Sequence, residues 1–325
     1  MVRLLRLRSA WGLAHLRSGD RRGLFAKLRE DGWDGVEASL ADIGATVADR
    51  SACCHAASAE GMALILSAYS SWPNYEGGFD AALTVRGHAD AMRSELREIG
   101  ELAAASPTPT ILRVNAHSGS DAWSETEAVD YFEEVQGVLA DLPVDVSHET
   151  HRGRYLCCPF ATARLLQRLP TLRLTSDFSH WVVKCERLLD TAAEVELLHE
   201  RIAPAVDHVH ARIGTPQAPQ VASPLQPTVR AAAERHYAWW EAVWSAREAA
   251  SISSRDSTVS ATIEYGPLER DEGGEYVGYT PATWDGTEAV AGVGLDATLL
   301  IARDALDERF AHWHGAGGSV RRYGW

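Results

Sequence analysis

Short apolar runs alternate along the chain with longer amphipathic stretches. The apolar runs lie at 3–8, 34–38, 62–68, 111–116, 144–148, 171–176, 205–210 and 258–264. The clearest amphipathic stretches lie at 20–31, 79–104, 125–140, 183–202, 228–249 and 295–310. Strands that alternate with helices predict a parallel sheet, and eight such strands are the number that closes a barrel. The pattern therefore predicts an α/β fold, a single (β/α)₈ TIM barrel.

No linker or change of composition divides the chain, so residues 1–325 are expected to form one domain. Two long loops, about 211–227 and 265–290, follow the seventh and eighth strands. In barrels of this kind the active site is built at the carboxyl ends of the strands, where the loops after the strands begin. The two loops are therefore predicted to lie over the active-site face.

Composition and charge limit the classes of partner. The net charge of −14 over 325 residues argues against a nucleic-acid partner, because phosphate binding needs a basic face. No apolar run approaches the roughly 18 residues of a membrane span. The five cysteines show no Cys-x-x-Cys spacing, which predicts reduced thiols and a cytoplasmic protein. The start "MVRLLRLRSAWGL" is interpreted as the first strand, with an organelle-targeting segment as the alternative.

Polar side chains gather late in the last five predicted strands. Residues two apart on a strand share a face, and the late positions of each strand carry polar groups of one parity. These positions are Asn115 and His117; Ser147, Glu149 and His151; Thr175 and Asp177; His208, His210 and Arg212; and Ser260, Thr262 and Glu264. They are expected at the mouth of the barrel, whereas His148, on the other parity, is predicted to be a structural histidine on the helix side.

Four of these residues have the composition of a metal site, namely Glu149, Asp177, His210 and Glu264. Three carboxylates in one small mouth repel one another, and a divalent cation removes that penalty. Oxygen ligands with one nitrogen favour Mn²⁺ or Mg²⁺, with Co²⁺, Fe²⁺ and Zn²⁺ as alternatives. The competing interpretation is that each residue is only hydrogen-bonded within a polar barrel top.

Several motifs resemble the xylose-isomerase-like TIM-barrel superfamily, which includes sugar isomerases, ketose 3-epimerases, inosose dehydratases and endonuclease IV. "GWDGVEASL" resembles its second strand, Asp177-x-x-His180 its sixth-strand motif, "HVHAR" its seventh strand, and "IEYGP" its eighth. "NAHSGSDAW", "SHETHRGR", "DFSHW" and "HARIGTPQAPQV" resemble a branch of sugar phosphate isomerase/epimerase proteins that are similar to AP endonuclease 2. The resemblance covers nearly the whole chain.

The resemblance implies roles for the polar residues. Glu149, Asp177, His210 and Glu264 would bind one divalent metal, and Glu149 and Glu264 would also be the acid/base pair. It favours His210 over His208 as the ligand, and His208 would then support the ligands from behind or pack in the core. His180 would be catalytic by polarising a substrate oxygen. No organic cofactor is implied.

A further group of residues is predicted to contact a sugar-like substrate: Glu37, His117, His151, Arg152, Trp181, Arg212 and Gln220. His117 has a structural donor as its alternative role. The arginines could bind a phosphate or carboxylate, since guanidinium matches those groups, or could pair with acidic neighbours. Trp181 is expected to cover an apolar face of the ligand.

The resulting hypothesis is a metal-dependent isomerase or epimerase that acts on a sugar, polyol or keto-acid through an enediolate. A dehydratase or other lyase uses the same proton abstraction and is the first alternative. A hydrolase or nuclease with several metals and a non-enzymatic sugar-binding barrel are weaker alternatives. The partner would be a small molecule, which could be anionic, and a homo-oligomer is compatible with the pattern.

Overall fold

Eight strands follow one another in chain order around a closed parallel barrel. The computed structural model describes residues 2–13, 16, 19–76, 79–106, 110–221, 223–250, 257–266, 269–270, 276–277 and 295–315. The strands are β1 Val2–Ser9, β2 Gly35–Ser39, β3 Ala63–Tyr69, β4 Ile111–His117, β5 Asp145–Glu149, β6 Leu174–Ser176, β7 Val206–His210 and β8 Ser257–Ile263. The predicted (β/α)₈ barrel is confirmed.

Helices connect the strands. They are α1 Arg21–Glu30, α2 Leu40–Ile43, α3 Val47–Ala59, α4 Val85–Ala105, α5 Glu125–Leu139, α6 Pro159–Arg168, α7 Phe178–Cys185, α8 Ala192–Glu196, α9 Arg230–Ala250 and α10 Leu295–Gly315. In the 265–290 segment, two short strands, β9 Glu269–Arg270 and β10 Tyr276–Val277, pair antiparallel. The rest of that segment after Gly266 lies outside the described residues, so the prediction of a loop over the active site is untested there.

Helices α3 and α6 are among those that lie outside the clear amphipathic stretches. Helix α3 consists largely of small residues, which give a weak hydrophobic pattern, but its start carries a capping box between Thr46 and Asp49. Helix α6 begins with Pro159 at its first turn, where a missing backbone N–H costs nothing. Both helices therefore carry a start signal in their sequence.

The segment 183–202 was predicted as one helix, and that prediction is wrong. Helix α7 ends at Cys185, and Glu186 and Leu189 both have a left-handed φ of 53°. Arg235 of α9 donates hydrogen bonds to the carbonyl oxygens of Leu188 and Leu189, which fixes the break. The chain then continues as α8 and a π-helix, Leu197–Ile202.

The contacts of the described residues form two compact units, divided after Leu5 and after Thr175. The unit of residues 6–175 buries Leu64, Leu66 and Val114 on its strands. In the other unit, Trp244 of α9 is buried and packs on Trp313 of α10, with ring centroids 5.6 Å apart. The single domain stays a prediction. No helix in the described part of the chain is both long and apolar enough to span a bilayer.

Candidate active site

Three of the predicted metal ligands come together in the unit that contains β7 and β8. Asp177 directly follows β6, His210 is the last residue of β7, and Glu264 directly follows β8. Each offers one ligand atom, and these atoms lie within 4.8 Å of one another. All three stand at the carboxyl ends of parallel strands, as expected from the alternation of side chains. These three residues could therefore hold one ion.

The contact between His210 and Glu264 fits a metal site. His210 Nδ1 lies 2.9 Å from Glu264 Oε2. Oε2 is buried but accepts no hydrogen bond from the described residues. Two atoms that bind the same divalent ion are typically about 3 Å apart, because each metal–ligand bond is about 2 Å long. The spacing and the mixture of oxygen and nitrogen donors both fit a divalent cation.

The neighbouring His208 has a different environment. Its Nδ1 lies 2.7 Å from Ser260 Oγ, and its Nε2 lies 2.9 Å from Thr262 Oγ1. Both ring nitrogens are thus engaged by hydroxyl groups of β8. Which of the two histidines would bind a metal stays a prediction.

Arg212 brings a positive charge into the same cluster. Its side chain is 1% exposed, and its Nη2 donates to Asp177 Oδ2. The same Nη2 lies 3.0 Å from His180 Nε2 and 3.5 Å from Glu264 Oε2. One guanidinium against two carboxylates leaves a net negative charge, which still favours a cation. The repulsion that the sequence implied is thus partly relieved by the protein itself.

Asp177 is additionally bound to helix α7, which begins at the next residue, Phe178. Asp177 caps this helix, and its Oδ1 accepts hydrogen bonds from the backbone N of Ser179 at 2.9 Å and from Ser179 Oγ at 2.6 Å. Ser179 Oγ also accepts from Arg212 Nε at 3.3 Å. These contacts fix the carboxylate before any ligand binds. His180, on the same helix, lies 3.5 Å from Asp177 Oδ2.

Glu149 has a comparable network in the unit of residues 6–175. It is the last residue of β5 and is fully buried. Its Oε2 accepts a hydrogen bond from Asn115 Nδ2 at 2.8 Å and lies 3.0 Å from His117 Nε2. Asn115 Nδ2 also donates to Glu37 Oε1 at 2.9 Å. The Asn115 amide therefore connects the carboxylates of β2 and β5, and Glu37 and His117 lie next to the predicted acid/base group.

A turn after β3 brings a residue to this network that the sequence did not reveal. The hydroxyl of Tyr75 lies 2.9 Å from His117 Nδ1. Trp72, Asn74 and Tyr75 have left-handed φ values of 50°, 53° and 59°. Asn tolerates this conformation, but Trp and Tyr rarely adopt it, so only Asn74 carries a sequence signal for the turn.

Arg154 holds this turn in place. Its buried guanidinium donates to Ser71 Oγ at 2.9 Å and to the carbonyl oxygen of Ser71 at 2.8 Å. The ring of Tyr75 stacks on His151, with centroids 4.5 Å apart. His151 also contacts the carbonyl oxygen of Arg152, and Arg152 itself is half-buried. His151 therefore lies in an aromatic cluster beside His117.

His148 occupies the opposite side of β5, as its parity predicted. Its Nδ1 lies 2.7 Å from Ser118 Oγ, and its ring packs edge-on against Phe132 of α5. Complete burial lowers the pKa of His148 to about 3, because the charged imidazolium would lose its hydration. The residue is therefore a neutral structural histidine.

The two remaining predicted substrate contacts lie in packed surroundings. Trp181 is fully buried, and its ring packs edge-on against Phe178 with centroids 5.6 Å apart. Gln220 is buried and exchanges hydrogen bonds with the backbone of Gly266. A role for either side chain in substrate binding stays a prediction.

Comparisons with known proteins extend this picture at the level of the fold. No protein-family model matches the chain. No curated protein matches it either. Solved structures do match.

A D-tagatose 3-epimerase-like protein is similar, with a TM-score of 0.57 and 12% identity over 96% of this chain and 99% of the other. A xylose isomerase-like TIM barrel protein from Mycobacterium smegmatis, in complex with magnesium, gives a TM-score of 0.56 and 10% identity over 95% and 96%. The probable 3-DHS dehydratase AsbF from Bacillus anthracis gives a TM-score of 0.50 and 12% identity over 80% of this chain and 92% of the other. The chain thus has the fold of the xylose-isomerase-like TIM barrels.

Proposed function

We propose that the protein is a divalent-metal-dependent isomerase or epimerase that acts on a sugar, polyol or keto-acid. The observation that carries the proposal is the convergence of Asp177, His210 and Glu264, whose ligand atoms lie within 4.8 Å of one another. Glu264 Oε2 lies 2.9 Å from His210 Nδ1 and 3.5 Å from Arg212 Nη2, and a divalent cation would compensate the acidic charge that one guanidinium leaves in this cluster.

Glu149 is the fourth ligand in this proposal. In the β5–β6 register Glu149 is opposite Thr175, and Asp177 follows Thr175 by two residues on the same parity. Since the barrel strands are parallel, Glu149 and Asp177 both belong to the carboxyl end of the barrel. Three carboxylates and one imidazole favour Mn²⁺ or Mg²⁺, and one solved structure of the same fold is a magnesium complex.

The chemistry divides between the metal and the side chains. The bound cation would supply positive charge for the oxygen atoms on which an enediolate places its negative charge. Glu149 would remove the proton from the carbon next to the substrate carbonyl, and Glu264 would return a proton to the adjacent carbon or to the other face. Asn115 and His117 would hold the carboxylate of Glu149 in one orientation through Oε2.

Arg212 and His180 complete the proposed site. The guanidinium lies within 3.5 Å of both Asp177 and Glu264, so it would add to the positive charge beside a substrate oxygen. His180 would polarise the same oxygen in this proposal, and its contact with Arg212 Nη2, at 3.0 Å from Nε2, keeps the imidazole beside the guanidinium. These roles need neither a nucleophile nor an organic cofactor.

A dehydratase or other lyase is the second candidate. The same proton abstraction leads to elimination when the substrate carries a leaving group on the next carbon. A probable 3-DHS dehydratase shares the fold, which favours this candidate over other reaction classes. Loss of water or of a fragment from the substrate separates the two candidates.

The test is isotope exchange in D₂O. The Mn²⁺-loaded protein is incubated with a panel of ketoses, aldoses, cyclic polyols and keto-acids, and deuterium at carbon is followed by NMR. We expect exchange with at least one substrate, loss of exchange in Glu149→Gln and Glu264→Gln, and normal exchange in Glu101→Gln, a surface change on α4. Absence of exchange and of elimination across the whole panel, with Mn²⁺ bound, would contradict the proposal.

A further inference from the structure

The loop after β7 is folded tightly on itself. Thr215 and Ala218 bridge the loop through two backbone hydrogen bonds of 2.7 and 3.2 Å, and Val221 N donates to Ile213 O at 3.1 Å. Gly214 has no room for a side chain, because a Cβ would lie 2.8 Å from Ser179 Cβ and 3.0 Å from Ala218 O. The loop therefore closes on itself and packs against Ser179, the residue that binds Asp177 Oδ1.

The same loop is joined to the chain just after β8. Gln220 is 3% exposed, and its Oε1 accepts from Gly266 N at 2.9 Å while its Nε2 donates to Gly266 O at 3.3 Å. The side-chain amide thus makes the pair of hydrogen bonds that a neighbouring strand would make. A second link runs from Ile213 N to the hydroxyl of Tyr265 at 3.3 Å.

Glu264 immediately precedes both anchored residues. Glu264 directly follows the last residue of β8, Ile263. The links at Tyr265 and Gly266 fix the backbone that comes after it. The loop also packs on Ser179, which hydrogen-bonds Asp177. The same loop therefore contacts both the residue that holds Asp177 and the backbone that follows Glu264.

We infer that the loop 213–221 supports the site and that Gln220 is a positioning residue. By hydrogen-bonding the backbone of Gly266, Gln220 would fix the position from which Glu264 binds the metal. This inference rests on the proposed metal site. A side chain that orients a ligand in this way typically contributes about 10- to 100-fold to metal affinity. In this inference the Gln220 amide acts through Gly266 and positions Glu264.

The loop offers a matched control, because Gln217 is exposed and its backbone N, which a substitution keeps, contacts Thr215 Oγ1. We compare Gln220→Ala, Gln220→Glu and Gln217→Ala. Metal-stripped proteins are titrated with Mn²⁺ by calorimetry well below their melting temperatures. Exchange of the Gly266 amide with solvent is measured on the same samples by NMR or mass spectrometry.

We expect Gln220→Ala to accelerate Gly266 exchange and to weaken Mn²⁺ binding about tenfold. Gln220→Glu keeps the acceptor for Gly266 N but loses the donor to Gly266 O. Its Gly266 exchange rate and its Mn²⁺ affinity should therefore lie between those of Gln220→Ala and the wild type. Gln217→Ala should match the wild type in both measurements.

Two results would overturn the inference alone: unchanged Gly266 exchange in Gln220→Ala, or accelerated exchange with Mn²⁺ affinity equal to that of Gln217→Ala. A wild-type protein that binds no Mn²⁺ would overturn the proposed function and, with it, this inference. The two failures are therefore distinguishable.

Discussion

Asp177 contacts several residues of the candidate site at once. It caps α7 through Ser179, accepts a hydrogen bond from Arg212, and lies beside His210 and Glu264. We propose that Arg212 acts as a resident cation that keeps the acidic cluster stable before a metal binds.

Replacing Arg212 with methionine tests this role. Without the guanidinium, the buried carboxylates of Asp177 and Glu264 lose their charge partner, and breaking such a pair costs about 3 kcal/mol. We expect Arg212→Met to lower the free energy of unfolding of the metal-free protein by about that amount, measured by urea denaturation. Mn²⁺ should restore stability more in this variant than in the wild type.

The control for this change is Arg201→Met, which removes the same charge from an exposed position. It should leave the urea midpoint unchanged with and without Mn²⁺. Equal stability of Arg212→Met and Arg201→Met in the metal-free state would show that Arg212 does not balance the cluster.

Side-chain alternation predicted positions along the strands. Glu149 and His210 are the last residues of their strands, Glu264 directly follows β8, and His148 packs on the helix side, because a strand has a strict period of two. The hydroxyl of Tyr75 was not predictable, since it reaches His117 through a turn with left-handed residues. Which acidic residue Arg212 binds also depends on three-dimensional distances that a linear pattern does not encode.

At the scale of elements, capping boxes mark several helix starts that hydrophobic periodicity did not reveal. Capping boxes begin α2, α3, α5 and α8, and the last of these lies inside the segment that periodicity read as one helix. That segment is broken because Arg235, some 50 residues later in the chain, binds the carbonyl oxygens of Leu188 and Leu189. A tertiary contact of this kind leaves no local trace.

Removing Arg235 should destabilise the protein at the helix break around Leu188 and Leu189. Its guanidinium is buried and satisfies two carbonyl groups, and each hydrogen bond to a charged donor contributes about 1.5 to 3 kcal/mol. We expect Arg235→Met to lower the free energy of unfolding by about 3 kcal/mol, measured by urea denaturation. Arg230→Met, at the exposed start of the same helix, should change it by less than about 0.5 kcal/mol. Equal effects of the two changes would contradict this explanation of the break.

For the whole molecule, the alternation of apolar runs and amphipathic stretches was sufficient to predict the barrel and its strand order. What it could not predict is how charge is distributed in the interior. Burial lowers the pKa of His88 and of His236 to about 4 and that of His148 to about 3, so all three are neutral at pH 7. Burial also raises the pKa of Glu95 to about 7.

These shifts predict an acid-sensitive protein. A histidine whose folded pKa lies below 6.5 contributes stability above that pH, and this stability is lost as the pH falls towards the folded value. Glu95 has the opposite sign, since its folded form binds a proton between about 4.5 and 7 and so gains stability on acidification. The histidines outnumber it, so the net effect is uptake of about two protons on unfolding, or roughly 2.7 kcal/mol per pH unit near pH 5.

Urea denaturation between pH 4.5 and 7.5 measures this slope. Glu95→Gln should make the acid loss of stability steeper by up to about 1.4 kcal/mol per pH unit, because it removes the opposing group. Glu101→Gln, an exposed change on the same helix, should leave the slope as in the wild type. A free energy of unfolding that is flat or rises as the pH falls from 6.5 to 5 would contradict the assignment of the histidines.

The most direct test of the whole account is the stoichiometry and affinity of Mn²⁺ for the metal-stripped protein, measured by calorimetric titration. We predict one ion per chain in the wild type and in Glu101→Gln, and affinity weakened at least tenfold in Glu149→Gln and Asp177→Asn. A wild-type protein that binds no ion, or variants that bind it as tightly as the wild type, would contradict the claim that Glu149 and Asp177 ligate the same ion as His210 and Glu264.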